Sequence, residues 1–217
     1  MNIVAAPIGN ARTQQAAATR KALLDNARIL FEERGYFEIG TPELAAAVGL
    51  TRGALYHHFA NKYELFVEVF RIVERELFEE AMSLFQSDWV TDEARLRYGV
   101  VAYLKAVAAS PGRQRIMLID GPAVLGWVKW REMESASFRD LQKRNLAQLA
   151  ASGVMRNANS EYLSRLLLAA FNESALAIAH AEPAMREIVR GEVTASLQLL
   201  IEGLLISPHP QTTTDKK

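Results

Sequence analysis

The stretch that decides the fold runs from Gly35 to Phe66 and reads GYFEIGTPELAAAVGLTRGALYHHFANKYELF. Gly49-Leu50-Thr51 reads as a tight turn between two short segments with helical apolar spacing. Before the turn, Leu44, Ala45 and Val48 form the apolar side of one helix, and Gly49 ends it. Thr41 is the expected cap of that helix. Pro42 suits its first position, because the missing N–H has no intrahelical partner there. After the turn, Thr51 is expected to cap a third, short helix from Arg52 to about His58. Leu55 and Phe59 then face a small core, and polar side chains are left outside. Two short helices across a tight turn, the second exposed and rich in hydrogen-bonding groups, make a helix-turn-helix.

Working outward, a first helix is expected from about Thr19 to Arg34, with Leu23, Ala27, Leu30 and Phe31 on one face. Gly35 follows as the left-handed residue past its end. Asn61 is placed to cap a longer helix, Lys62 to about Leu84, which exceeds the needs of a small DNA module and is expected to link two domains. Beyond it the pattern predicts helices at 93–109, 112–119, 122–152, 160–181 and 183–205. No β-type alternation and no internal repeat appears. The expected fold class is all-α. It comprises an arm (1–15), a three-helix helix-turn-helix domain (16–66), a larger helical effector-binding and dimerisation domain (67–206) and a frayed tail (207–217).

Composition narrows the function classes. The chain has 217 residues, half of them apolar, no cysteine and a formal net charge of zero. It has no thiol nucleophile and no disulfide framework, which fits a reducing cytoplasm. No run of apolar residues is long enough for a transmembrane helix, and no signal-peptide pattern opens the sequence. Zero net charge is unusual for a DNA binder. Residues 1–63 carry seven Lys/Arg against five Asp/Glu, so the surplus is small and the motif, not the charge, points to nucleic acid.

In a helix-turn-helix the second helix meets base edges while flanking groups hold phosphates. Thr51, with the helix N-terminal amides, suits a phosphate, and Arg52 reaches a guanine edge or a phosphate. Gly53 removes a side chain where the backbone approaches DNA, and Ala54 suits a thymine methyl. The Tyr56 hydroxyl and Lys62 are natural phosphate contacts, and His57 lies on the same exposed element. A metal site at His57-His58 is disfavoured, since adjacent helical residues point about 100° apart. No metal or cofactor is expected.

The run Ala45-Ala46-Ala47-Val48-Gly49-Leu50-Thr51-Arg52-Gly53-Ala54-Leu55-Tyr56-His57-His58-Phe59, followed by Lys62 and Leu65-Phe66, resembles the TetR family of bacterial regulators. Leu30-Phe31 and Gly35-Tyr36 fit the same pattern, and Gly40 stands where many members carry Thr or Ser. The resemblance implies DNA contacts at Thr51, Arg52, Ala54, Tyr56, His57 and Lys62. Asp120-Gly121-Pro122-Ala123-Val124-Leu125-Gly126-Trp127 and Asn172-Glu173-Ser174-Ala175-Leu176 are similar to one TetR subgroup, which implies a helical effector and dimerisation domain.

Within the expected 122–152 helix, Trp127, Trp130, Glu134, Phe138, Leu141 and Asn145 recur at helical spacing. Aromatics with a few polar groups describe either core or a small-molecule pocket. Tyr103, Met117, Asp120 and Asn172 are candidates to converge on such a pocket. In the last two helices, Leu167, Ala170, Ser174 and Ile178, with Val193, Leu197, Leu200 and Leu204, form stripes that suit intramolecular core. The resemblance instead implies a homodimer bundle, and a palindromic operator asks for the same symmetry. The expected partners are therefore operator DNA, a second copy and a small-molecule effector, with no membrane. Two rivals are a DNA-binding module governed by a protein partner and an all-helical enzyme. The latter lacks a phosphate loop, a metal cluster and a nucleophile elbow.

Overall fold

A computed structural model of the chain describes residues 8–84, 91–133 and 136–206. Eleven α-helices and one π-helical turn account for most of the described residues. They divide into two compact units. The described residues of 1–76 and 110–134 form the first, and those of 77–109 and 135–217 the second. The expected tail, 207–217, lies outside the described residues.

In the first unit, α1 spans Ile8–Arg34, so 8–15 are helical rather than part of an arm. Gln14, Gln15 and Ala16–Ala18 are good helix formers and extend it. Leu23, Ala27 and Phe31 turn one face of α1 into the core. Gly35 stops it at φ +91°, and its N–H bonds the Phe31 carbonyl at 2.9 Å. Helix α2 is Thr41–Ala46. Its N-cap is Gly40, not Thr41, and Gly40 has no side chain to satisfy the free amides. Gly49 takes φ +69° in the turn. Helix α3, Arg52–Tyr56, is capped by Thr51, whose hydroxyl accepts from the Ala54 amide at 3.2 Å. Helix α4, Lys62–Ser83, is capped by Asn61, which accepts from the Glu64 amide at 2.8 Å. Glu64 reaches back to the Ala60 amide at 2.6 Å.

These helices close over Phe31, Leu44, Leu55, Phe59, Phe66 and Phe70, all essentially inaccessible to solvent. Phe66 meets Phe31 edge-on at 5.6 Å and Tyr36 at 5.1 Å between ring centroids.

The same unit takes in α6 (Pro111–Gln114), a π-helical turn (Arg115–Asp120), α7 (Gly121–Leu125) and α8 (Trp127–Met133). The packing is close. A Cβ on Gly121 would lie 2.8 Å from the Phe70 ring and 3.0 Å from the Ile116 carbonyl. The single helix expected over 122–152 is therefore broken. Gly126, at φ +77°, separates α7 from α8 in a conformation that L side chains rarely adopt.

The second unit packs α5 (Asp92–Ala108), α9 (Ala136–Ala151), α10 (Ser160–His180) and α11 (Arg186–Leu204). Its core gathers Leu104, Leu146, Leu168, Phe171, Ala175 and Ile201. A backbone clasp ties the end of α11 to the loop before α10. The Ile206 amide donates to the Val154 carbonyl at 2.8 Å, and the Arg156 amide to the Leu204 carbonyl at 3.0 Å.

Candidate nucleic-acid interface and ligand cavity

Helix α3 is held from below and open above. Leu55 and Phe59 are buried, whereas Thr51, Arg52, Gly53, Tyr56 and His57 are exposed and Ala54 is half-buried. Arg52 and Tyr56, one helical turn apart, form a pair. The guanidinium donates to the Tyr56 hydroxyl at 3.2 and 3.3 Å. Thr41 also hydrogen-bonds that hydroxyl, and together Thr41 and Arg52 hold the Tyr56 phenol below its ordinary pKa. The pair thus presents a cation and a shared hydroxyl on the face left open by the core.

Lys62 is placed differently from the sequence expectation. Its ammonium donates to the carbonyls of Tyr36 and Ile39, each at 2.8 Å, and sits 3.9 Å from the centre of the Tyr36 ring. Two of its three donors are spent inside the unit. Partial burial holds this amine below the ordinary lysine pKa. The geometry makes Lys62 a brace for the α1–α2 turn rather than a free phosphate contact.

Asp120 belongs to the same assembly. It is buried, and Oδ2 accepts from the Tyr36 amide at 2.8 Å. Burial pushes its carboxyl above the ordinary carboxylate range. The Tyr36 amide and the charges of Arg115 and Lys62 pull part of the way back. Arg115 in turn donates to the carbonyls of Glu32 and Glu33 at the end of α1. The π-helical turn is therefore bolted to the base of the helix-turn-helix by polar bonds to backbone that α1 and the following turn leave unpaired.

The eight residues expected around a pocket are divided between the two units. Met117 and Trp130 are buried in the first unit, where the indole N–H donates to the Met117 carbonyl at 2.8 Å. Asp120 is bonded as described. Trp127 is 61% exposed, stacked obliquely on Trp130 with Arg131 over its ring. Glu134 lies outside the described residues. Tyr103, Phe138 and Asn172 do meet in the second unit. The Tyr103 hydroxyl donates to Asn172 Oδ1 at 2.8 Å, and the Tyr103 and Phe138 rings lie 5.2 Å apart. The end of the helix that carries the two tryptophans is the physical reason. Helix α8 stops at Met133 and α9 begins at Ala136, so Trp127 and Trp130 fall in one unit and Phe138 in the other.

A cavity of about 460 Å³ does open in the second unit. Met82, Leu96, Phe138, Leu141 and Phe171 supply its apolar wall, and Gln142, Asn145 and the Asp92–Arg95 ion pair its polar side. Its size lies within the ~300–1,000 Å³ usual for small-molecule sites. Phe138, Leu141 and Asn145 stand on the stripe seen in the sequence. Gln142 does not, and was missed because a lone Gln at an apolar-flanked position carries no motif.

The expected dimer stripes also need correction. Leu167, Ser174, Ile178 and Leu197 are buried in their own unit, and Ala170, Val193 and Leu204 are half-buried. Of the eight, Leu200 alone is exposed. Beside Leu200, the apolar residues that α10 and α11 leave outside are Tyr162, Leu166 and Ala169, and Ile188, Ala195 and Leu199. Spacings of three, four and seven residues put each set on one helix face.

Comparison with known proteins agrees with this architecture. Residues 23–69 match the family model described as bacterial regulatory proteins, tetR family, and residues 94–204 match the tetracyclin repressor-like C-terminal domain. The chain is 30% identical over 105 residues to the HTH-type transcriptional regulator AcrR of Shigella flexneri, covering 48% of each protein. It is 32% identical over 108 residues to the repressor BepR of Brucella suis, covering 48% of this chain and 50% of BepR. The chain thus spans about half the length, or less, of the first curated relatives it matches. A TetR-family regulator from Pectobacterium atrosepticum superposes with a TM-score of 0.70 at 33% identity, over 90% of this chain and 98% of that one. AibR, solved in complex with isovaleryl coenzyme A and operator DNA, shares the fold at a TM-score of 0.60 and 20% identity, over 86% of this chain and 97% of its own.

Proposed function

The chain belongs to the TetR family of bacterial transcriptional regulators, and from that premise we propose that it is a repressor that grips a palindromic operator as a homodimer and is released by a small molecule. The observation that carries the reading is α3. Its underside is locked by Leu55 and Phe59, and its outer face offers Thr51, Arg52, Ala54, Tyr56 and His57 to a major groove. In this reading Arg52 reads a base edge or grips a phosphate. Thr51 and Tyr56 hold backbone, and Gly53 lets the helix approach closely. Lys62 acts by bracing the turn beneath them.

A palindromic site requires two copies related by a two-fold axis, with recognition helices about 34–36 Å apart. The exposed apolar faces of α10 and α11, centred on Leu166 and Leu199, are the surface we assign to that dimer. The effector occupies the cavity of the second unit. Release needs a ligand that binds better to the conformation in which the recognition helices no longer fit one DNA face. AibR offers a parallel, since its structure holds a small molecule and an operator together. Control by a protein partner instead of a ligand is the second reading, and the cavity weighs against it. We assign no enzymatic activity. No described helix is long and apolar enough to cross a membrane, and a regulator that works on operator DNA acts in the cytoplasm in this reading.

Selection of bound DNA from a random pool tests the core of the proposal. A palindromic sequence recovered with a footprint of two half-sites is the expected result. Failure of any sequence to enrich would end it.

A further inference from the structure

We infer that the cavity of the second unit takes an uncharged, mostly apolar molecule that carries a hydrogen-bond donor, as an alkylphenol or a long-chain alcohol does. The inference rests on reading that unit as the effector domain only for its biological consequence; the binding itself is independent of DNA.

Three observations lead to it. First, size. At the ~30 Å³ that one water occupies in the liquid, about 460 Å³ holds some 15 non-hydrogen atoms, a single medium-sized organic molecule. Second, charge. The wall carries one carboxylate, Asp92, and its charge is matched by Arg95 at 2.9 Å. Arg144 is exposed, so its charge is already solvated at the rim. An ionised ligand group pushed inward past that rim would lose its water and find no free counter-charge among Leu96, Phe138, Leu141 and Phe171. Third, hydrogen bonding. Gln142, 8% exposed, and Asn145 both line the cavity, and Gln142 Oε1 and Asn145 Oδ1 are buried and unpartnered. The Asn145 amide nitrogen is already engaged, donating to the Asp92 carbonyl at 3.1 Å. This fixes Oδ1 as the free end and as an acceptor. Both unmet groups are therefore acceptors, and buried acceptors require donors. The terminal amide torsion of Gln142 is soft, so its oxygen turns to a ligand without moving α9. A molecule with an apolar body and one hydroxyl suits the wall and supplies the donor that one of these oxygens lacks.

The test compares 4-hexylphenol with 4-hexylanisole, which has the same body and an acceptor but no donor. Affinities are measured by calorimetry on the full chain without DNA. The phenol is expected to bind about tenfold more tightly than the ether, the ratio that one net hydrogen bond supplies. Gln142→Leu or Asn145→Leu, whichever removes the oxygen that accepts from the ligand, should lower that ratio toward one while the ether still binds, and Arg144→Ala should leave it unchanged. Equal affinities in the unaltered protein overturn the inference, as does absence of phenol binding up to its solubility limit. So does a ratio that persists in both leucine variants. The unaltered protein decides the question even where a variant does not fold. A palindromic operator without phenol binding would overturn this inference and leave the regulator standing. Phenol binding at the expected ratio with no loss of operator affinity would uphold the inference and overturn the release step alone.

Discussion

Replacing Lys62 with methionine separates a brace from a DNA contact. Methionine keeps most of the side chain's length and removes the ammonium. The change strips one partner each from the Tyr36 and Ile39 carbonyls, both bonded at 2.8 Å, and removes the charge 3.9 Å from the Tyr36 ring. Hydrogen bonds from a charged donor contribute ~1.5–3 kcal/mol each. The ammonium's own desolvation, visible as a lowered pKa, offsets part of that. Lys62 is also half-exposed, so water reaches the freed carbonyls. A net loss of ~2–3 kcal/mol is expected, and at ~2–4 °C per kcal/mol for a chain of this size the thermal midpoint falls by about 4–12 °C. A lost phosphate contact would behave otherwise. The slope of log K against log salt would become shallower by ~0.9, with the midpoint nearly unchanged. Thermal unfolding is paired with binding to a fixed duplex across a salt series, at a temperature where the variant is fully folded. The expected outcome is a lowered midpoint with an unchanged slope. A slope shallower by about one, with no loss of stability, would refute the brace.

Arg52→Ala should cost ~1–3 kcal/mol on the selected operator and much less on random DNA, if the guanidinium reads a base; equal losses on both, measured by competition binding, would reassign it to a phosphate. Leu199→Asp places a charge on the exposed apolar face of α11, where Leu199 is 73% exposed. It should leave thermal stability of the protomer intact, shift sedimentation toward monomer and weaken operator binding; an unchanged dimer would move the interface elsewhere. The Asp120 carboxyl titrates higher in the folded chain than in the unfolded one because it is buried. The folded chain therefore binds its proton more tightly, so this group's contribution to stability falls as pH rises from the ordinary carboxylate value through the raised one and is flat beyond. Glu74, also raised by burial, adds a slope of the same sign. Asp120→Asn should flatten the urea midpoint as pH rises above the ordinary carboxylate value, without abolishing the slope; an unaltered slope would mean that Asp120 does not titrate there.

The recognition helix was legible because everything that fixes it is local. Thr51 caps three residues away, Leu55 and Phe59 bury at helical spacing, and Gly49 takes the positive φ that the turn requires. Lys62 was not legible for the opposite reason. Its partners are carbonyls 26 and 23 residues back in the chain, and backbone acceptors leave no mark in a sequence. Asp120 binds an amide 84 residues away in the same manner. The pocket stripe failed because one expected helix is three. Gly126 reads as a tolerated glycine within a helical pattern, yet its φ of +77° ends α7 and opens α8. Helix α8 then stops at Met133 and α9 begins at Ala136, so the helical spacing of Trp127 and Trp130 with Phe138 has no geometric meaning.

The face we propose for a dimer illustrates a more general property of periodicity. A helix that packs against its own unit on one side and against a second copy on another is apolar on two faces. Counting apolar residues at helical spacing then finds the denser face first. On α10 that face contains Leu167, Ser174 and Ile178, and on α11 Leu197 and Ile201, all of which belong to the unit's own core. The second face shows as Tyr162 and Leu166 on α10 and Ile188 and Leu199 on α11, residues that a lone protomer leaves at 52–73% exposure. Scattered exposed apolar residues are ordinary. Two aligned sets on adjacent helices are not, because each side chain left in water forgoes about 25 cal/mol for every Å² that a partner would cover. The residues that burial leaves over, rather than those that periodicity selects, are therefore the ones we propose for contact with a second protomer.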